Sequence, residues 1–430
     1  MPHGWRILKL GELLKQVDIR TRVKEDQEYR LCGVKWYGEG VFERETCLGS
    51  ELSASQLYPL VEGRLIYNRL FAWKASFALV PPECEGLFVS NEFPQFAVDT
   101  NLALAEYVRL YCLSAAFIAA VKKASEGSAA VSRNRFKESS FLGFEIPLPP
   151  LATQQAIVSQ WQNVQARIFE AEQIASQCEA KARDEFLAAL GLRKSSSDHS
   201  RKCFALQWSS ISRWGIDTNQ PDAKLDVSAG LYPVTTLSTA ILDLTNGWSP
   251  KCLDRPAEGN EWGVLKLGAV SYGAFDPTAN KGLPSSLAPQ PALEIKAGDW
   301  LISRANITRL VGACALVGET PPRLMLCDKI FRAVWRPNSP VLPAYLDEVM
   351  KTPHLRQQIE ASLTGTSPTM KNISKPALMA LRFPLPPIDV QKTLIAAIGK
   401  ARADALALRQ QAKQLREKAK REIVAALLGQ

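Results

Sequence analysis

Histidine and paired cysteines are scarce in this 430-residue chain. The three histidines, His3, His199 and His354, stand far apart, and the nine cysteines form no C-x-x-C pair. Metal centres and disulfide frameworks need such residues at close, regular spacings, and an odd number of scattered cysteines is typical of a reducing compartment. We therefore expect reduced thiols and no metal site.

Long apolar runs are absent as well. The first residues, MPHGWRILKLGELLK, contain no apolar core of an export signal, and the most apolar later window, Leu102 to Val121, is interrupted by Glu106 and Arg109. A helix that spans a bilayer needs about 20 predominantly apolar residues. With 46% hydrophobic and 22% charged residues, the sequence predicts a folded cytoplasmic protein.

Catalytic signatures are also missing. The sequence has no N-P-P-[YF] or D-P-P-Y segment to hold a target amino group, no glycine-rich loop after a strand for a methyl donor, and no G-x-x-x-x-G-K-[ST] phosphate loop. The nuclease-like fragments Pro221-Asp222 and Glu294 to Lys296 lie too far apart to form one site. These absences predict a protein that is not an enzyme and binds no cofactor directly.

The chain has an excess of basic residues and the length of at least two domains. Its 52 basic and 43 acidic residues give a net charge of +9. A basic protein of this kind is compatible with a nucleic-acid partner, although charge alone does not establish one.

A repeat organises the sequence. Pro147-Leu148-Pro149-Pro150 recurs 237 residues later as Pro384-Leu385-Pro386-Pro387, and the same shift places Gln154 on Gln391. Upstream, GRLIYNR and GDWLISR match at a shift of 235. Since proline disfavours helix in the residue before it, each proline run ends a globular segment and starts a helix. The chain is therefore predicted to be two copies of one unit.

The globular segments predict mixed structure. RLIYNRLFAWKASFALV and WLISRANITRLVGACALV are rich in β-branched and aromatic residues, whereas NLALAEYVRLYCLSAAFIAAVKKA and AYLDEVMKTPHLRQQIEASL have helical periodicity. Each globular segment is predicted to be an α/β or α+β recognition domain.

The segment after each proline run predicts a long helix with one narrow apolar seam. Each helix should contain about 40 residues and extend roughly 60 Å. Leu151 to Gly191 holds three basic and five acidic residues, and Ile388 to Gln430 holds nine basic and four acidic residues. These opposite net charges favour pairing of the two helices with each other. The seam includes Ile157, Trp161, Val164, Ile168, Leu394, Ile398, Leu408 and Leu415.

Polar and aromatic clusters in the globular segments are the candidate DNA contacts. Arginine, lysine and asparagine bind phosphates and read base edges, and hydroxyl groups support them. For any single position, an ordinary surface residue or a hydrogen bond inside the domain remains the favoured interpretation. The candidates in the first copy are Lys35, Trp36, Tyr37, Tyr67, Asn68, Arg69, Trp73, Lys74, Arg133, Asn134 and Arg135. Those in the second copy are Ser303, Arg304, Asn306, Arg309, Thr366, Ser367, Lys371 and Asn372.

Together, the twin PLPP joints with Gln154 and Gln391, and the segments GRLIYNRLFAW and GDWLISRANITRLVG, resemble the DNA specificity subunit of type I restriction-modification systems. Thr153 and Val390 depart from the family, which often has Glu before the helix-opening Gln. The resemblance implies target recognition domains at 1–150 and 203–387 in a pseudo-twofold arrangement. It also implies antiparallel coiled-coil spacer helices at 151–192 (the central repeat region) and 388–430 (the C-terminal repeat region), with a linker at 193–202.

The resemblance further implies a function. Each domain would read one half of a bipartite DNA target, and the chain would hold two methyltransferase subunits and, through them, restriction subunits. S-adenosylmethionine, and ATP with Mg for restriction, would act in the complex. A self-contained DNA methyltransferase or nuclease, and a scaffold that does not read sequence, remain alternatives. The target sequence and spacer length do not follow from the sequence.

Overall fold

The structure, a computed structural model, describes residues 2–125, 135–192, 225–365 and 370–429. The chain divides into two compact units: unit 1 comprises Met1–Gln173 and Leu408–Gln430, and unit 2 comprises Ile174–Ala407. The predicted linker 193–202 and the predicted start of the second copy at Cys203 lie outside the described residues. No helix in the described ranges has the length and apolar character needed to cross a membrane.

In its described residues, unit 1 contains three sheets and four short α-helices. Its strands are β1 Arg6–Lys9, β2 Leu14–Val17, β3 Thr21–Arg22, β4 Glu28–Val34, β5 Val41–Leu48, β6 Gln56–Pro59, β7 Leu65–Tyr67, β8 Phe77–Leu79, β9 Phe88–Val89, β10 Gln95–Val98 and β11 Glu145–Leu148. Its short helices are α1 Leu10–Leu13, α2 Ala105–Cys112, α3 Ala115–Ser125 and α4 Glu138–Gly143. The sheets have the strand orders β1-β11, β2-β10-β7-β8 and β3-β6-β9-β4-β5.

The long helix α5, Leu151–Ala189, begins in unit 1 and ends in unit 2. The strands of unit 2 are β12 Val234–Thr236, β13 Ile241–Asn246, β14 Gly263–Leu265, β15 Val270–Ser271, β16 Ala274–Phe275, β17 Asn280–Gly282, β18 Trp300–Ser303, β19 Ala305–Asn306, β20 Cys314–Leu316, β21 Leu324–Met325, β22 Ile330–Trp335, β23 Lys371–Asn372 and β24 Arg382–Pro384. Its short helices are α6 Leu237–Ala240, α7 Pro343–Val349, α8 Pro353–Ala361 and α9 Lys375–Met379. The second long helix, α10 Ile388–Leu427, begins in unit 2 and ends in unit 1.

The predicted repeat is confirmed by sheet topology. The four-stranded sheet β2-β10-β7-β8 of unit 1 has its counterpart in β13-β22-β18-β20 of unit 2, and the pair β1-β11 has its counterpart in β12-β24. The predicted strand-rich and helical segments also fall as expected, with β7 and β8 followed by α2 and α3, and β18 and β20 followed by α7 and α8. The mixed α/β fold is therefore built twice from one pattern.

Gln154 fixes the start of α5 to the globular part of unit 1. Its side chain is fully buried. The Nε2 group donates hydrogen bonds to the carbonyl oxygens of Leu102, at 3.0 Å, and Pro149, at 2.9 Å. The Oε1 atom accepts one from the backbone N–H of Leu104 at 2.9 Å. A buried amide must satisfy both its donors and its acceptor. These three bonds therefore fix the orientation of the start of α5 relative to the globular part of unit 1.

Gln391 repeats this arrangement in unit 2. Its buried side chain donates to the carbonyl oxygens of Pro340, at 2.8 Å, and Pro386, at 2.9 Å, and accepts from the N–H of Leu342 at 2.9 Å. Each long helix begins at the residue that follows the Pro-Pro pair of its proline run. The departures at Thr153 and Val390 therefore do not prevent helix initiation. The proline run and the glutamine together form the joint of each unit.

Buried positions recur at regular spacing along the long helices. Along α10 the buried positions Ile398, Ala405, Ala412 and Ala419 recur every seven residues, which is the heptad spacing of a helix pair. In unit 1, Ile157 near the start of α5 shares a core with Leu427 near the end of α10. The two helix segments of this unit therefore run antiparallel.

Candidate nucleic-acid interface

An aromatic cleft opens on the surface of unit 1. It has a volume of about 510 Å³ and is lined by the rings of Trp36, Phe42, Phe71 and Phe93, together with Tyr37 and other residues. Trp36 is 41% exposed and Tyr37 is 72% exposed, which is unusual for large aromatic side chains. We call this feature the aromatic cleft.

Lys74 holds Trp36 in place beside this cleft. Its ammonium nitrogen lies 3.5 Å from the centroid of the Trp36 ring and 5.1 Å from that of Trp73. Such a cation–π contact favours an orientation in which the face of the ring is turned toward the ammonium group. Trp73 in turn donates its indole N–H to the carbonyl oxygen of Leu70 at 3.1 Å. Three sequence-predicted candidates, Trp36, Trp73 and Lys74, are thus brought together.

The backbone beside the aromatic cleft is strained at one position in each of two loops that are joined by a hydrogen bond. Tyr37 has a φ of 58° and Ala75 a φ of 56°, in the left-handed region that costs a side chain about 1–2 kcal/mol. The N–H of Gly38 donates to the carbonyl oxygen of Ala75 at 2.9 Å, so the two loops support each other. Strain of this kind is concentrated at functional sites.

Two candidates of the first copy are corrected by their burial. Tyr67 is 0% exposed, and its hydroxyl donates to the carbonyl oxygen of Phe136 at 3.1 Å. It lies in β7, in the interior of the four-stranded sheet, where all three residues are covered. Asn68 is also buried, and its Oδ1 accepts from the N–H of Leu70 at 2.9 Å. Tyr67 is therefore a core residue, and Asn68 shapes a turn at the floor of the aromatic cleft.

Two arginine candidates of the first copy, Arg69 and Arg135, are paired with carboxylates. Arg69 forms an ion pair with Glu138, and Arg135 forms one with Glu92 at 2.6 Å. Each carboxylate would compete with a phosphate for its arginine. Arg133 and Asn134 lie outside the described residues.

In unit 2 the candidates come from two segments that pair as strands. Ala305 lies opposite Asn372 and Asn306 lies opposite Lys371 in the antiparallel pair β19-β23. The ammonium group of Lys371 donates to the carbonyl oxygen of Gly365 at 2.6 Å. Two segments about 65 residues apart in the sequence thus form one two-stranded sheet. Thr366 and Ser367 lie outside the described residues.

Burial also corrects two candidates of the second copy. Ser303 is fully buried, and Asn306 is buried with its Oδ1 accepting from the N–H of Ile307 at 2.9 Å. Neither faces solvent: the Nδ2 group of Asn306 donates to Oγ of Ser303 at 3.4 Å, and every residue of their strands, β19 and β18, is buried. Arg304 is half-buried, with its guanidinium carbon 5.5 Å from the centroid of the Phe331 ring.

Arg309 is a solvent-exposed candidate of unit 2. It is exposed in the short 3₁₀ turn Thr308–Leu310. Two large apolar residues outside the predicted set are also exposed: Ile307, two residues before Arg309, and Met370, the residue before β23. Large exposed apolar side chains of this kind are suited to thymine methyl groups.

Sequence reasoning also missed the residues that complete the aromatic cleft. Phe42, Phe71 and Phe93 come from separate segments, and each alone has the pattern of a core residue. In unit 2 it missed Arg356, which bonds the hydroxyl of Tyr272 and the carbonyl oxygens of Val311, at 2.6 Å, and Thr308, at 2.7 Å. Tyr272 matches Tyr37 in the repeat, but Arg356 restrains it.

The paired helices of unit 1 form a second concave surface. A groove of about 530 Å³ runs between α5 and α10 and is lined by seam residues Val164 and Leu415 and by polar residues such as Asn163 and Lys418. Trp161 is half-buried in the core of the unit beside it. The remaining predicted seam residues, Ile168, Leu394, Ile398 and Leu408, are buried or half-buried.

Comparison with known proteins supports the predicted resemblance. The chain is 33% identical over 159 residues to the type I restriction enzyme EcoEI specificity subunit of Escherichia coli, covering 37% of the chain and 27% of that protein. It is 24% identical over 279 residues to the EcoKI specificity subunit of Escherichia coli strain K12, covering 64% of the chain and 54% of that protein. The chain thus matches between about a quarter and a half of the length of these relatives. No family model matches.

A solved structure shows the same fold. That chain comes from a study of complex assembly and conformational transition of the type I R-M system. It superimposes with a TM-score of 0.56 at 17% identity, over 99% of this chain and 97% of that chain. The resemblance to type I specificity subunits is confirmed by the curated relatives, and the mixed α/β fold with two long helices by the structure. The individual DNA contacts stay predictions.

Proposed function

We propose that this chain is the DNA-recognition subunit of a type I restriction-modification complex, with each unit reading one half of a bipartite target. The observation that carries the proposal is the repetition of one sheet and one joint with different surface residues. Trp36 of the first copy corresponds to Ser271 of the second, and Arg309 is exposed in unit 2. Two units with the same fold and different surface residues are suited to reading two different half-sequences.

The long helices support a fixed separation of the half-sites. In DNA readers with two recognition modules, half-site spacing follows the distance between the modules. α5 and α10 have 39 and 40 residues, and a helix of that length extends roughly 60 Å. The seam pairs them, and the two joints fix each helix to a globular part.

The chain acts in this proposal without catalysing a reaction. Two methyltransferase subunits bind it and supply S-adenosylmethionine chemistry, and restriction subunits, joined through them, use ATP with Mg. The complex works in the cytoplasm, where the DNA lies. Both curated relatives are named specificity subunits, which supports recognition rather than catalysis as the role of this chain.

Modified-base sequencing tests the proposal. DNA exposed to this chain and its methyltransferase should carry methylation at a split motif with a constant gap. Methylation at a continuous motif, or at no defined motif, would contradict it. Replacing residues 1–143 with those of a relative should change one half of the motif only, and a change in both halves would refute the division between the units.

Two rival functions give different results. A self-contained methyltransferase or nuclease would modify or cut DNA when the purified chain is supplied with S-adenosylmethionine or a divalent metal. A scaffold that does not read sequence would bind a bipartite site and unrelated DNA equally well. The proposed recognition subunit requires its partner for methylation and prefers its own target.

A further inference from the structure

We propose that the aromatic cleft of unit 1 takes up one unpaired nucleobase from the DNA that this unit binds. The inference rests on the proposed DNA-reading function and adds a mode of recognition to it: stacking on an opened base, in addition to contacts with the edges of paired bases.

The lining of the aromatic cleft fits a flat heterocycle. Trp36, Phe42, Phe71 and Phe93 surround a volume of about 510 Å³, and the Trp36 and Phe71 rings are 5.3 Å apart at an angle of 50°. Aromatic side chains bind unstacked bases through their faces, largely independently of base identity. A paired base inside a duplex cannot enter such a cleft, because its faces are covered by its neighbours.

The aromatic cleft is prepared before any ligand arrives. Lys74 lies over Trp36, Tyr37 and Ala75 have left-handed backbone, and the N–H of Gly38 joins their two loops by donating to the carbonyl oxygen of Ala75. A packing role alone would be served by buried rings, yet Trp36 and Tyr37 are exposed at the rim. Strain together with exposure indicates a surface shaped for a ligand.

The charges around the aromatic cleft suit a DNA strand. Lys35 is exposed, with its ammonium nitrogen 5.7 Å from the centroid of the Phe42 ring, and Lys74 lies behind Trp36. Arg44 also lines the cleft and is paired with Glu45. Glu39 is the carboxylate in the lining, and it is exposed at the rim. Cations beside stacking rings are the usual combination for holding the backbone of an unpaired base.

Unit 2 does not repeat this arrangement. Ser271 stands where unit 1 has Trp36, and Arg356 binds the hydroxyl of Tyr272. The proposal therefore assigns base uptake to the half-site that unit 1 reads, and not to the other half.

A binding experiment on the full chain tests the proposal with two DNA probes that have the same sequence except for one unpaired thymine. One is a fully paired duplex of about 20 base pairs, and the other carries a single unpaired thymine. The wild-type chain should bind the second probe about fivefold to a hundredfold more tightly, the range expected for one base stacked on aromatic side chains. Trp36→Ala should abolish this preference without changing affinity for the paired duplex by a comparable factor.

Matched variants separate stacking from folding. Trp36→Phe keeps an aromatic face and should retain most of the preference. Phe169→Ala removes another exposed ring, 63% exposed on α5, and should leave the preference unchanged. Thermal unfolding of each variant identifies loss of the fold.

Fluorescence gives an independent measure. With 2-aminopurine as the unpaired base, the wild-type chain should quench its emission and Trp36→Ala should restore it. If the chain binds duplex DNA but shows no preference for the unpaired base, or if Trp36→Ala retains it, base uptake is refuted while the recognition function stands. Absence of DNA binding would refute the recognition function itself.

Discussion

Gln154 and Gln391 make the same three hydrogen bonds in units that share little sequence. Each donates to two carbonyl oxygens and accepts from one backbone N–H, at distances of 2.8–3.0 Å. A further hydrogen bond recurs beside each joint. The hydroxyl of Tyr107 donates to the carbonyl oxygen of Pro147, and that of Tyr345 donates to the carbonyl oxygen of Pro384, both at 2.7 Å. The joints are therefore the best-preserved feature of the repeat.

Replacing either joint glutamine with alanine should destabilise its unit. Gln154→Ala leaves a buried N–H and two carbonyl oxygens without the partners they have now, and each such group costs about 1–3 kcal/mol. We expect a loss of that order or more in the free energy of unfolding, measured by urea denaturation. Gln155→Ala, at the adjacent exposed position, should change it by less than about 0.5 kcal/mol. Equal losses would contradict the joint.

Ala75 and Gly312 predict opposite responses to exchange. Each lies two residues before its strand, β8 or β20, and each has left-handed backbone, with φ of 56° and 77°. Ala75→Gly should be neutral or raise the free energy of unfolding by up to about 1 kcal/mol, because glycine adopts this backbone freely. Gly312→Ala should lower it by about 1–2 kcal/mol or more, since its Cβ would lie 2.8 Å from Cδ1 of Ile359. Calorimetry measures both, and a destabilising Ala75→Gly would refute the strain.

The carboxylate of Glu348 should give unit 2 a pH-dependent contribution to stability. Burial raises the pKa of Glu348, but hydrogen bonds from Arg402 and the charge of Lys351 outweigh burial, so the pKa lies below its ordinary value. A lowered folded-state pKa stabilises the fold above the unfolded-state value of about 4.3, and the gain is lost as pH falls through the folded-state value. The advantage of wild type over Glu348→Gln should be constant above about pH 5 and shrink below about pH 4.

Asp404→Asn provides the control for this pH dependence. Asp404 is an exposed carboxylate on α10 in the same unit, so its replacement makes the same change in charge at the surface. Denaturation curves of this variant should follow those of wild type between pH 3 and pH 7. A pH-independent difference between wild type and Glu348→Gln would show that packing, not charge, carries the effect.

The small residues of the helix seam should tolerate no enlargement. Ala405 is fully buried on α10, and Ala405→Leu inserts three carbons into a packed seam, which costs about 1–3 kcal/mol. Ala407→Leu, two residues along the same helix at an exposed position, should be nearly neutral. Urea denaturation distinguishes the two. A similar effect of both would mean that the helices are not closely packed at Ala405.

Arg309 should contribute to DNA affinity in unit 2. Arg309→Gln removes an exposed positive charge, so binding should weaken for all sequences and the slope of log affinity against log salt should fall by about one. Lys392→Gln, an exposed position on α10, should leave the slope unchanged. An affinity that does not depend on salt would refute phosphate contacts altogether.

The sequence predicts the frame of the molecule better than its binding surface. The seven-residue period of α10 and the PLPP joints are local patterns; buried residues recur along α10 with that period, and α10 begins directly after its proline run. Tyr67 was misassigned because its hydroxyl and the polar residues after it were taken as a surface cluster, although the continuous apolar run LIY is the pattern of a strand covered on both faces. The aromatic cleft combines Trp36, Phe71 and Phe93, and nothing local indicates that such distant rings meet.

The division of the chain into units has a consequence for synthesis on the ribosome. The core of unit 1 includes Ile423 and Leu427 from the end of α10, but Ile174–Ala407, the whole of unit 2, lies between them and the rest of that core. At 5–20 residues per second, roughly ten to fifty seconds of translation separate the two parts. During that interval Ile157 and its neighbours lack their helical partner, so the core of unit 1 is completed only after unit 2 has been synthesised.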